Sequence, residues 1–209
     1  MKPYLVIKRI LDFVISLIVL IILSPFFLVI AILIKLDSKG PVFFRQERLG
    51  KDGKVFSIYK FRTMKTEQYD KNGRELTDFE RITPLGKFIR EWSIDELPQL
   101  INILKGEMSL IGPRPLLSDY LTYYTSKQMR RHEVLPGVTG WAQVNGRNTV
   151  SWEEKFDCDV WYVDNISILL DLKIVYLTII KIFKREGVNQ NNTATMERFD
   201  QYVLKQVEK

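Results

Sequence analysis

The pattern of hydrophobic and polar positions begins with a long apolar run over residues 13–34, FVISLIVLIILSPFFLVIAILI. A helix that spans a membrane needs about 20 apolar residues, so this run is long enough to enter a bilayer. Pro25 lies near its middle and predicts a kink or break, because proline lacks an N–H and its ring clashes with the preceding turn. The hydroxyl of Ser24 can bond a carbonyl freed by Pro25, which makes such a bend tolerable in lipid.

Positive charge on both sides of the apolar run bears on its topology. Lys8 and Arg9 precede it, and Lys35, Lys39 and Arg45 follow it. Since a crossing helix usually carries its lysines and arginines toward the cytoplasmic end, basic residues at both ends favour a re-entrant helix–break–helix hairpin, which enters one leaflet and returns. A kinked transmembrane anchor is the alternative. We expect Lys8 and Arg9 to pair with lipid phosphates at the headgroup level.

Behind the membrane segment, the pattern predicts a β-hairpin and then mostly helices. Residues 42–48 and 55–62 are rich in β-forming side chains, and a glycine-containing turn separates them. Thr83 and Pro84 predict the start of a helix. Residues 120–134 are expected to form an exposed helix.

A second apolar stretch, residues 166–183, contains Asp171 and Lys181 and is therefore a poor spanning helix. Its aromatic residues and basic flank favour a helix in the membrane interface, with a buried core helix as the alternative. The expected fold class is α+β: a mainly helical monotopic membrane protein with a re-entrant hairpin, a small β-hairpin and interfacial amphipathic helices. We expect residues 1–40 to form the membrane hairpin and residues 41–209 to form a cytoplasmic domain associated with the interface.

Composition narrows the chemistry. Cys158 is the only cysteine, so no internal disulfide forms, which fits a reducing cytoplasm. His132 is the only histidine and is expected to be structural, so a metal would need oxygen ligands, which points to Mg²⁺ or a similar hard cation. The net charge of +6 suits lipid headgroups and phosphates. Nucleic acid is not expected as a partner, because the basic residues are dispersed and the chain begins with a membrane segment.

The chemically informative segment is residues 93–104, SIDELPQLINIL. Ser93 and Glu96 match a capping box, so a helix is expected to begin here, and the carboxylates then only complement the helix dipole. The alternative is catalytic. Asp95 in the first turn is expected to stay ionised, and the same helix N-terminus suits a phosphate. An ionised carboxylate beside a phosphate site is a candidate nucleophile.

Two later segments carry candidate binding residues. Arg114 lies between two prolines, so its backbone is stiff and its guanidinium is pre-aimed. It points either at a phosphate or carboxylate or, in a rigid turn, at solvent. Residues 135–148 are dense in polar and turn residues, and Gln143 and Arg147 within them can bind a sugar or a base.

Several long motifs stand in fixed order along nearly the whole chain. They are Lys8-Arg9 with the Ser24-Pro25 pair, GPVFFRQERLG at 40–50, YKFRTM at 59–64, SIDELPQL at 93–100, GEMSLIGPRP at 106–115 and PGVTGWAQVNGRN at 136–148. On these motifs the chain resembles the small monotopic phosphoglycosyl transferases. These are the bacterial sugar transferases that begin the assembly of polysaccharides and glycoprotein glycans.

The resemblance implies both a reaction and a site. A sugar-1-phosphate, expected to be that of an N-acetylated amino sugar, moves from a UDP-sugar to a polyprenyl (undecaprenyl) phosphate, and UMP is released. Asp95 and Glu96 are then the catalytic pair and the expected Mg²⁺ ligands, and Arg114 binds a substrate phosphate. The weaker candidates for binding phosphate or nucleotide are Arg90, Lys60, Arg62, Arg147 and Gln143. The hairpin is expected to be re-entrant, at the cytoplasmic face of the bacterial inner membrane.

The implied mechanism has two steps. Asp95 attacks the phosphorus that bears the sugar, and the lipid phosphate then attacks the aspartyl-phosphosugar, which predicts ping-pong kinetics. One competing hypothesis is an enzyme that cleaves or forms glycosidic bonds. Glycosidase carboxyls lie about 5 to 9.5 Å apart across a bond, a separation that neighbouring Asp95 and Glu96 suit badly. The other is a non-enzymatic membrane adaptor, which needs the anchor but not Asp95.

Overall fold

The first element is a single long helix, α1 (Pro3–Asp37), in a computed structural model that describes residues 3–145, 151–184 and 197–207. The helix continues through Pro25. Pro25 has no N–H to donate to the carbonyl of Ile21, and the hydroxyl of Ser24 donates to that oxygen instead, at 2.8 Å. The expectation for Ser24 is thereby confirmed, whereas the predicted break does not interrupt the helix.

One side of α1 contacts the rest of the protein along the whole helix. Asp12, Ser16, Ile30 and Ile34 are buried at helical spacing. The opposite side exposes apolar side chains, among them Ile10, Val14, Ile18, Ile21, Ile22, Leu28, Val29, Ile32 and Leu36. Within the described part of the chain, α1 is the one helix that is long and apolar enough to cross a membrane, judged by length and composition.

Lys8 and Arg9 do not lie where the sequence predicts. Lys8 is buried, and its Nζ is 2.7 Å from Oδ2 of Asp171. Arg9 donates from Nη1 to the carbonyl oxygens of Ile103 and Met108, at 2.8 and 3.4 Å. The expected pairing with lipid phosphate is therefore wrong for Lys8, which is buried against Asp171. Arg9 is half-buried and has acceptors inside the fold as well.

The predicted β-hairpin is confirmed. Strands β1 (Phe43–Leu49) and β2 (Val55–Phe61) pair antiparallel, and a 3₁₀ turn over Lys51–Gly53 joins them. Phe61 is buried with Ile30 and other apolar side chains, so the hairpin packs against the second half of α1.

Short helices follow: α2 (Asp78–Arg81), α3 (Pro84–Glu91), a 3₁₀ turn (Ile94–Glu96) and α4 (Gln99–Lys105). α3 begins where the sequence predicts, because the side chain of Thr83 accepts a hydrogen bond from the Gly86 N–H at 2.9 Å. The first half of α1 packs against α4, since Val19 and Leu20 contact a buried cluster that contains Leu100 and Ile103.

A second, smaller sheet pairs β3 (Ser109–Ile111) with β4 (Gly137–Thr139) in parallel. Between these strands lies α5 (Ser126–Met129), with a 3₁₀ turn on either side of it. The predicted exposed helix over residues 120–134 is therefore wrong. The segment is also not exposed throughout, because Tyr120, Arg131 and His132 are buried.

The last helices are α6 (Trp141–Asn145), α7 (Trp152–Asn165), α8 (Ile168–Lys184) and α9 (Phe199–Val207). α8 buries Leu170, Asp171 and Ile174 and exposes many apolar side chains, including Leu169, Leu172, Tyr176, Ile179 and Phe183. This two-sided pattern agrees with the predicted interface helix and disagrees with a fully buried core helix.

Candidate active site

Asp95 and Glu96 lie on the 3₁₀ turn between α3 and α4. Ser93, which precedes the turn, has a left-handed backbone (φ 55°, ψ 23°), and its side chain caps no N–H. That backbone region is uncommon for a residue with a Cβ. The predicted capping box is therefore wrong, and helix capping does not account for the two carboxylates.

Lys60 joins the two carboxylates. It lies near the end of β2, and its Nζ is 2.7 Å from Oε1 of Glu96 and 3.5 Å from Oδ2 of Asp95. These three side chains are between 14% and 19% exposed, so solvent screens their charges only in part.

Arg114 reaches the same group from the segment after β3. Its Nη2 donates to Oε1 of Glu96 at 2.7 Å, while 48% of the side chain stays exposed. The carbonyl of Arg114 accepts a hydrogen bond from Nη2 of Arg131 at 2.7 Å. Arg131 is itself buried in an ion pair with Asp159, at 2.7 Å. The Arg131–Asp159 pair therefore fixes the backbone that aims Arg114.

The two carboxylates differ in proton affinity. Burial raises the pKa of Asp95 above its ordinary value; the charge of Lys60 opposes this rise and that of Glu96 adds to it. Burial alone would also raise the pKa of Glu96, but Arg114 and Lys60 hold it well below its ordinary range. Glu96 is thus a fixed anion held by two cations, and Asp95 is the more basic carboxylate. Burial, and not the helix dipole as predicted, dominates the behaviour of Asp95.

A cavity of about 1140 Å³ opens onto these side chains. Its lining includes Val19 of α1, Leu100 of α4 and Ile182 of α8, together with Trp152 and Lys155 of α7. Ligand pockets for small molecules typically measure about 300 to 1,000 Å³, so this cavity can hold a substrate larger than most.

Two of the weaker predicted binding residues, Arg90 and Gln143, border the cavity, and each donates a hydrogen bond to another protein atom. Arg90 donates from Nε to Oγ1 of Thr63 at 2.8 Å. Gln143 donates from Nε2 to the carbonyl of Val138 at 3.3 Å, while its Oε1 is buried without a hydrogen-bond partner among the described residues. Gln143 therefore retains an acceptor for a ligand donor.

The other two candidates have different outcomes. Arg62 is buried and donates from Nη2 to the carbonyls of Ile34 and Ser38, at 3.3 and 2.7 Å, so its guanidinium caps the C-terminal end of α1. We therefore remove Arg62 from the phosphate ligands. Arg147 lies outside the described residues.

The basic residues that border the cavity and that sequence reasoning did not single out include Arg48, Arg131 and Lys155. Strand alternation could have found Arg48, because Phe44 and Gln46 border the cavity from the same side of β1. No pattern in the sequence indicates the Arg131–Asp159 ion pair, because 28 positions separate the two residues and only the fold brings them together.

Asp95 and Glu96 are chemically suited to Mg²⁺, which prefers oxygen ligands and often takes only one or two carboxylates from a protein, together with substrate phosphates. Across the described residues, no group of three or more His, Cys, Asp or Glu side chains forms a metal site by itself. Since Oε1 of Glu96 already accepts from Lys60 and Arg114, Asp95 is the more open ligand. A bound Mg²⁺ here would need oxygens from the substrate.

The chain matches the family model described as "Bacterial sugar transferase" over residues 3–185, and it therefore belongs to the bacterial sugar transferase family. It is 54% identical over 195 residues to the "Uncharacterized sugar transferase EpsL" of Bacillus subtilis (strain 168), a match that covers 93% of this chain and 96% of that protein. The family predicted from the motifs is thus confirmed.

Two further relatives have names that state an activity. The "UDP-glucose:undecaprenyl-phosphate glucose-1-phosphate transferase" of Klebsiella pneumoniae is 44% identical over 188 residues, which cover 86% of this chain and 40% of that protein. The "UDP-N-acetylgalactosamine-undecaprenyl-phosphate N-acetylgalactosaminephosphotransferase" of Aeromonas hydrophila is 43% identical over 184 residues, 84% of this chain and 43% of that protein. The chain spans less than half the length of these two relatives.

Proposed function

We propose that the protein transfers a sugar-1-phosphate from a UDP-sugar to a polyprenyl phosphate, such as undecaprenyl phosphate, and releases UMP. The observation that carries this proposal is the set of Asp95, Glu96, Lys60 and Arg114 on one cavity that also borders α1 and α8. Such a cavity serves a charged, soluble donor and a lipid acceptor together. The names of the Klebsiella and Aeromonas relatives support both substrate classes.

Asp95 is the proposed nucleophile. One of its oxygens forms a bond to the phosphorus that bears the sugar, the bond from that phosphorus to the UMP oxygen breaks, and UMP leaves with the electron pair. An oxygen of the polyprenyl phosphate then attacks the same phosphorus, and the Asp95 carboxylate leaves. Its position beside Lys60 and its raised pKa support this role, because a more basic carboxylate is a better nucleophile.

The neighbouring cations reduce the repulsion between an anionic nucleophile and an anionic diphosphate. Lys60 and the exposed part of Arg114 are placed to contact phosphoryl oxygens, and Glu96 holds both in position. Mg²⁺, if held by Asp95 and Glu96 with substrate oxygens, would add Lewis-acid stabilisation of the leaving group.

Contacts at both ends of α1 support association with one face of the membrane. Arg9 contacts α4 near the start of the helix, and the carbonyls of Ile34 and Ser38 contact Arg62 near its end. A helix of 35 residues is about 50 Å long, which exceeds the hydrocarbon core of about 30 Å. An upright helix would therefore carry part of the polar domain across the membrane. We place both ends at the cytoplasmic face, with the apolar sides of α1 and α8 in one leaflet.

Cysteine labelling tests this placement. In a Cys158→Ser background, Lys2→Cys introduces a single thiol one position before the first residue of α1 in the sequence, and Lys39→Cys introduces one two positions after its last residue. Both thiols are expected to react with an impermeant reagent in inside-out vesicles and to be protected in right-side-out vesicles. Opposite accessibility of the two thiols would establish a transmembrane anchor instead.

The sugar is proposed to be an N-acetylated amino sugar. The name of the Aeromonas relative supports this choice, whereas the name of the Klebsiella relative favours glucose. Intact-protein mass spectrometry with Mg²⁺ and a panel of UDP-sugars, without lipid acceptor, tests sugar and mechanism together. Wild-type protein is expected to gain the mass of one sugar phosphate, and Asp95→Asn is expected to gain none. Asp78→Asn, which replaces an exposed carboxylate at the cavity edge, is the matched control.

Each result of this experiment has a distinct meaning. An adduct on wild type and on Asp78→Asn, but not on Asp95→Asn, supports the covalent step and names the sugar. Turnover with lipid but no adduct with any donor would replace the covalent step by direct displacement. Absence of both, across all UDP-sugars tested, would favour the non-enzymatic adaptor.

A further inference from the structure

Arg48 is a cation of the cavity that has no carboxylate partner among the residues that the structure describes. It lies near the end of β1, where its Nη2 donates to the neutral Oε1 of Gln46 at 2.6 Å and its Nε is buried without a hydrogen-bond partner among the described residues. The nearby carboxylates are engaged elsewhere. Glu96 pairs with Lys60 and Arg114, and Asp159 pairs with Arg131 through Oδ2, while Oδ1 of Asp159 is buried without a hydrogen-bond partner among the described residues.

Three cations, one of which is Arg48 itself, border a single small recess. A recess of about 20 Å³ is bordered by Arg48, Lys60 and Arg114, with Gln99 at its edge. Glu96, which pairs with Lys60 and Arg114, and Asp95, which pairs with Lys60, offset part of this positive charge. Burial and the charge of Arg114 lower the pKa of Arg48 to about 10.

Aromatic side chains border the same cavity as Arg48. Leu117 forms a β-bridge with Arg48, and Tyr120 and Trp152, whose ring centroids are 5.9 Å apart, border the same cavity. Trp152 begins α7, whereas Tyr162, near the end of α7, belongs to the cluster that packs against α8. Trp152 therefore lies at the end of α7 away from that cluster. Tyr120 and Trp152 are only 4% and 7% exposed and pack against Phe199, so they form a fixed wall of the cavity.

We propose that Arg48 and Arg114 together bind a phosphate group of the uridine nucleotide, so that Arg48 holds UMP as it leaves. This inference rests on the proposed function for the identity of the nucleotide. A guanidinium with an unused N–H is suited to a phosphate, because its fork of donors matches phosphate oxygens. Arg48 thus acts on the donor and its leaving group, and Asp95 acts on the phosphorus.

Binding and kinetics of matched variants test this assignment. Arg48→Met removes the charge, and Arg48→Lys keeps the charge but loses the fork. Arg45→Met is the control, because Arg45 lies three positions away on the opposite side of β1 and over the ring of Tyr59 at 4.8 Å. The affinity for UMP, with uridine as the phosphate-free probe, is measured by titration calorimetry, and KM is measured for the UDP-sugar and for polyprenyl phosphate.

Arg48→Met is expected to weaken UMP binding roughly tenfold to a hundredfold and to raise the donor KM, with uridine affinity unchanged. Arg45→Met is expected to match wild type, and Arg48→Lys is expected to fall between. Unchanged UMP affinity in a folded Arg48→Met or Arg48→Lys protein would overturn the assignment. A rise in KM for polyprenyl phosphate alone would overturn it too, and would move Arg48 to the acceptor phosphate. If wild type binds UMP through Arg48 but turns over no UDP-sugar, the proposed function fails while the nucleotide-phosphate assignment holds.

Discussion

Nζ of Lys8 and Oδ2 of Asp171 lie 2.7 Å apart, with side chains only 9% and 6% exposed, and this ion pair joins α1 to α8. Asp171 also accepts a hydrogen bond from the hydroxyl of Tyr162 at 2.8 Å, which adds α7 to the junction. Asp171, one of the charged residues that make α8 a poor spanning helix, is therefore the acceptor that joins α1 to the rest of the domain.

Replacing Lys8 by Met is expected to destabilise the protein by about 3 kcal/mol, because Asp171 would keep a buried charge without its cation. Thermal or denaturant unfolding in detergent micelles measures the effect. Lys35→Met, which removes an exposed lysine near the other end of α1, is the control and should change stability little. Equal stability of both variants would show that Lys8 does not pair with Asp171.

The pH dependence of activity should report the proton affinity of Asp95. Protonation of the nucleophile lowers kcat/KM on the acid side, and burial raises the pKa of Asp95, so the acid limb is expected above the value of about 3.9 for a free aspartate. Lys60→Met removes a charge that lowers this pKa. The acid limb should therefore move to higher pH, with a lower maximal rate.

Profiles of kcat/KM against pH for wild type, Lys60→Met and Lys54→Met test this shift. Lys54 is an exposed lysine of the same hairpin, and its removal should leave the profile unchanged. An acid limb in Lys60→Met that stays at the wild-type position would mean that the limb belongs to another group than Asp95.

Arg62 is expected to contribute stability and not substrate binding. Arg62→Met leaves the carbonyl of Ser38 without its side-chain donor and removes one of the two donors to the carbonyl of Ile34, which should cost about 1 to 3 kcal/mol. The donor KM should change less than about twofold, whereas Arg114→Met should raise it about tenfold or more, as expected for the loss of a charge-assisted hydrogen bond to phosphate. A comparable rise in KM for both variants would return Arg62 to the substrate site.

His132 should make folding sensitive to mild acid. Its Nδ1 lies 2.9 Å from the carbonyl of Gly50, and burial, followed by the charge of Arg131, lowers the pKa of His132 to about 4. Because an unfolded histidine has a pKa of about 6.5, the unfolded state binds the proton more readily between these values. The contribution of neutral His132 to the free energy of unfolding is therefore complete above about pH 6.5. About 3 kcal/mol of it is lost as the pH falls toward 4.

The difference in unfolding free energy between wild type and His132→Asn, measured from pH 7.5 to 4, checks this expectation. The amide of asparagine can still donate to the Gly50 carbonyl but does not titrate. The variant should lose less stability on acidification than wild type. Parallel curves would mean that His132 is already accessible to protons in the folded protein.

Local patterns determined much of this protein. The apolar run, the β-hairpin, the start of α3 at Thr83 and the amphipathic character of α8 follow from the period of the side chains and from turn chemistry, which act over a few residues. The family followed from long motifs, and these contain Asp95, Glu96, Lys60 and Arg114. The structure brings those four together although they lie in three separate motifs.

Only the tertiary structure decided what each charge pairs with. From sequence, Lys8 and Arg9 suit lipid headgroups, Arg62 suits a phosphate and Glu96 suits a helix cap, since a charged side chain accepts any complementary partner. In the folded protein, Lys8 pairs with Asp171, and Glu96 pairs with two cations. Arg9 and Arg62 donate hydrogen bonds to carbonyls at the ends of helices. Within the described part of the chain, Arg48 has no anionic partner. Such pairings join residues many positions apart, and the energy of a charge depends on burial and neighbours, which exist only once the chain has folded.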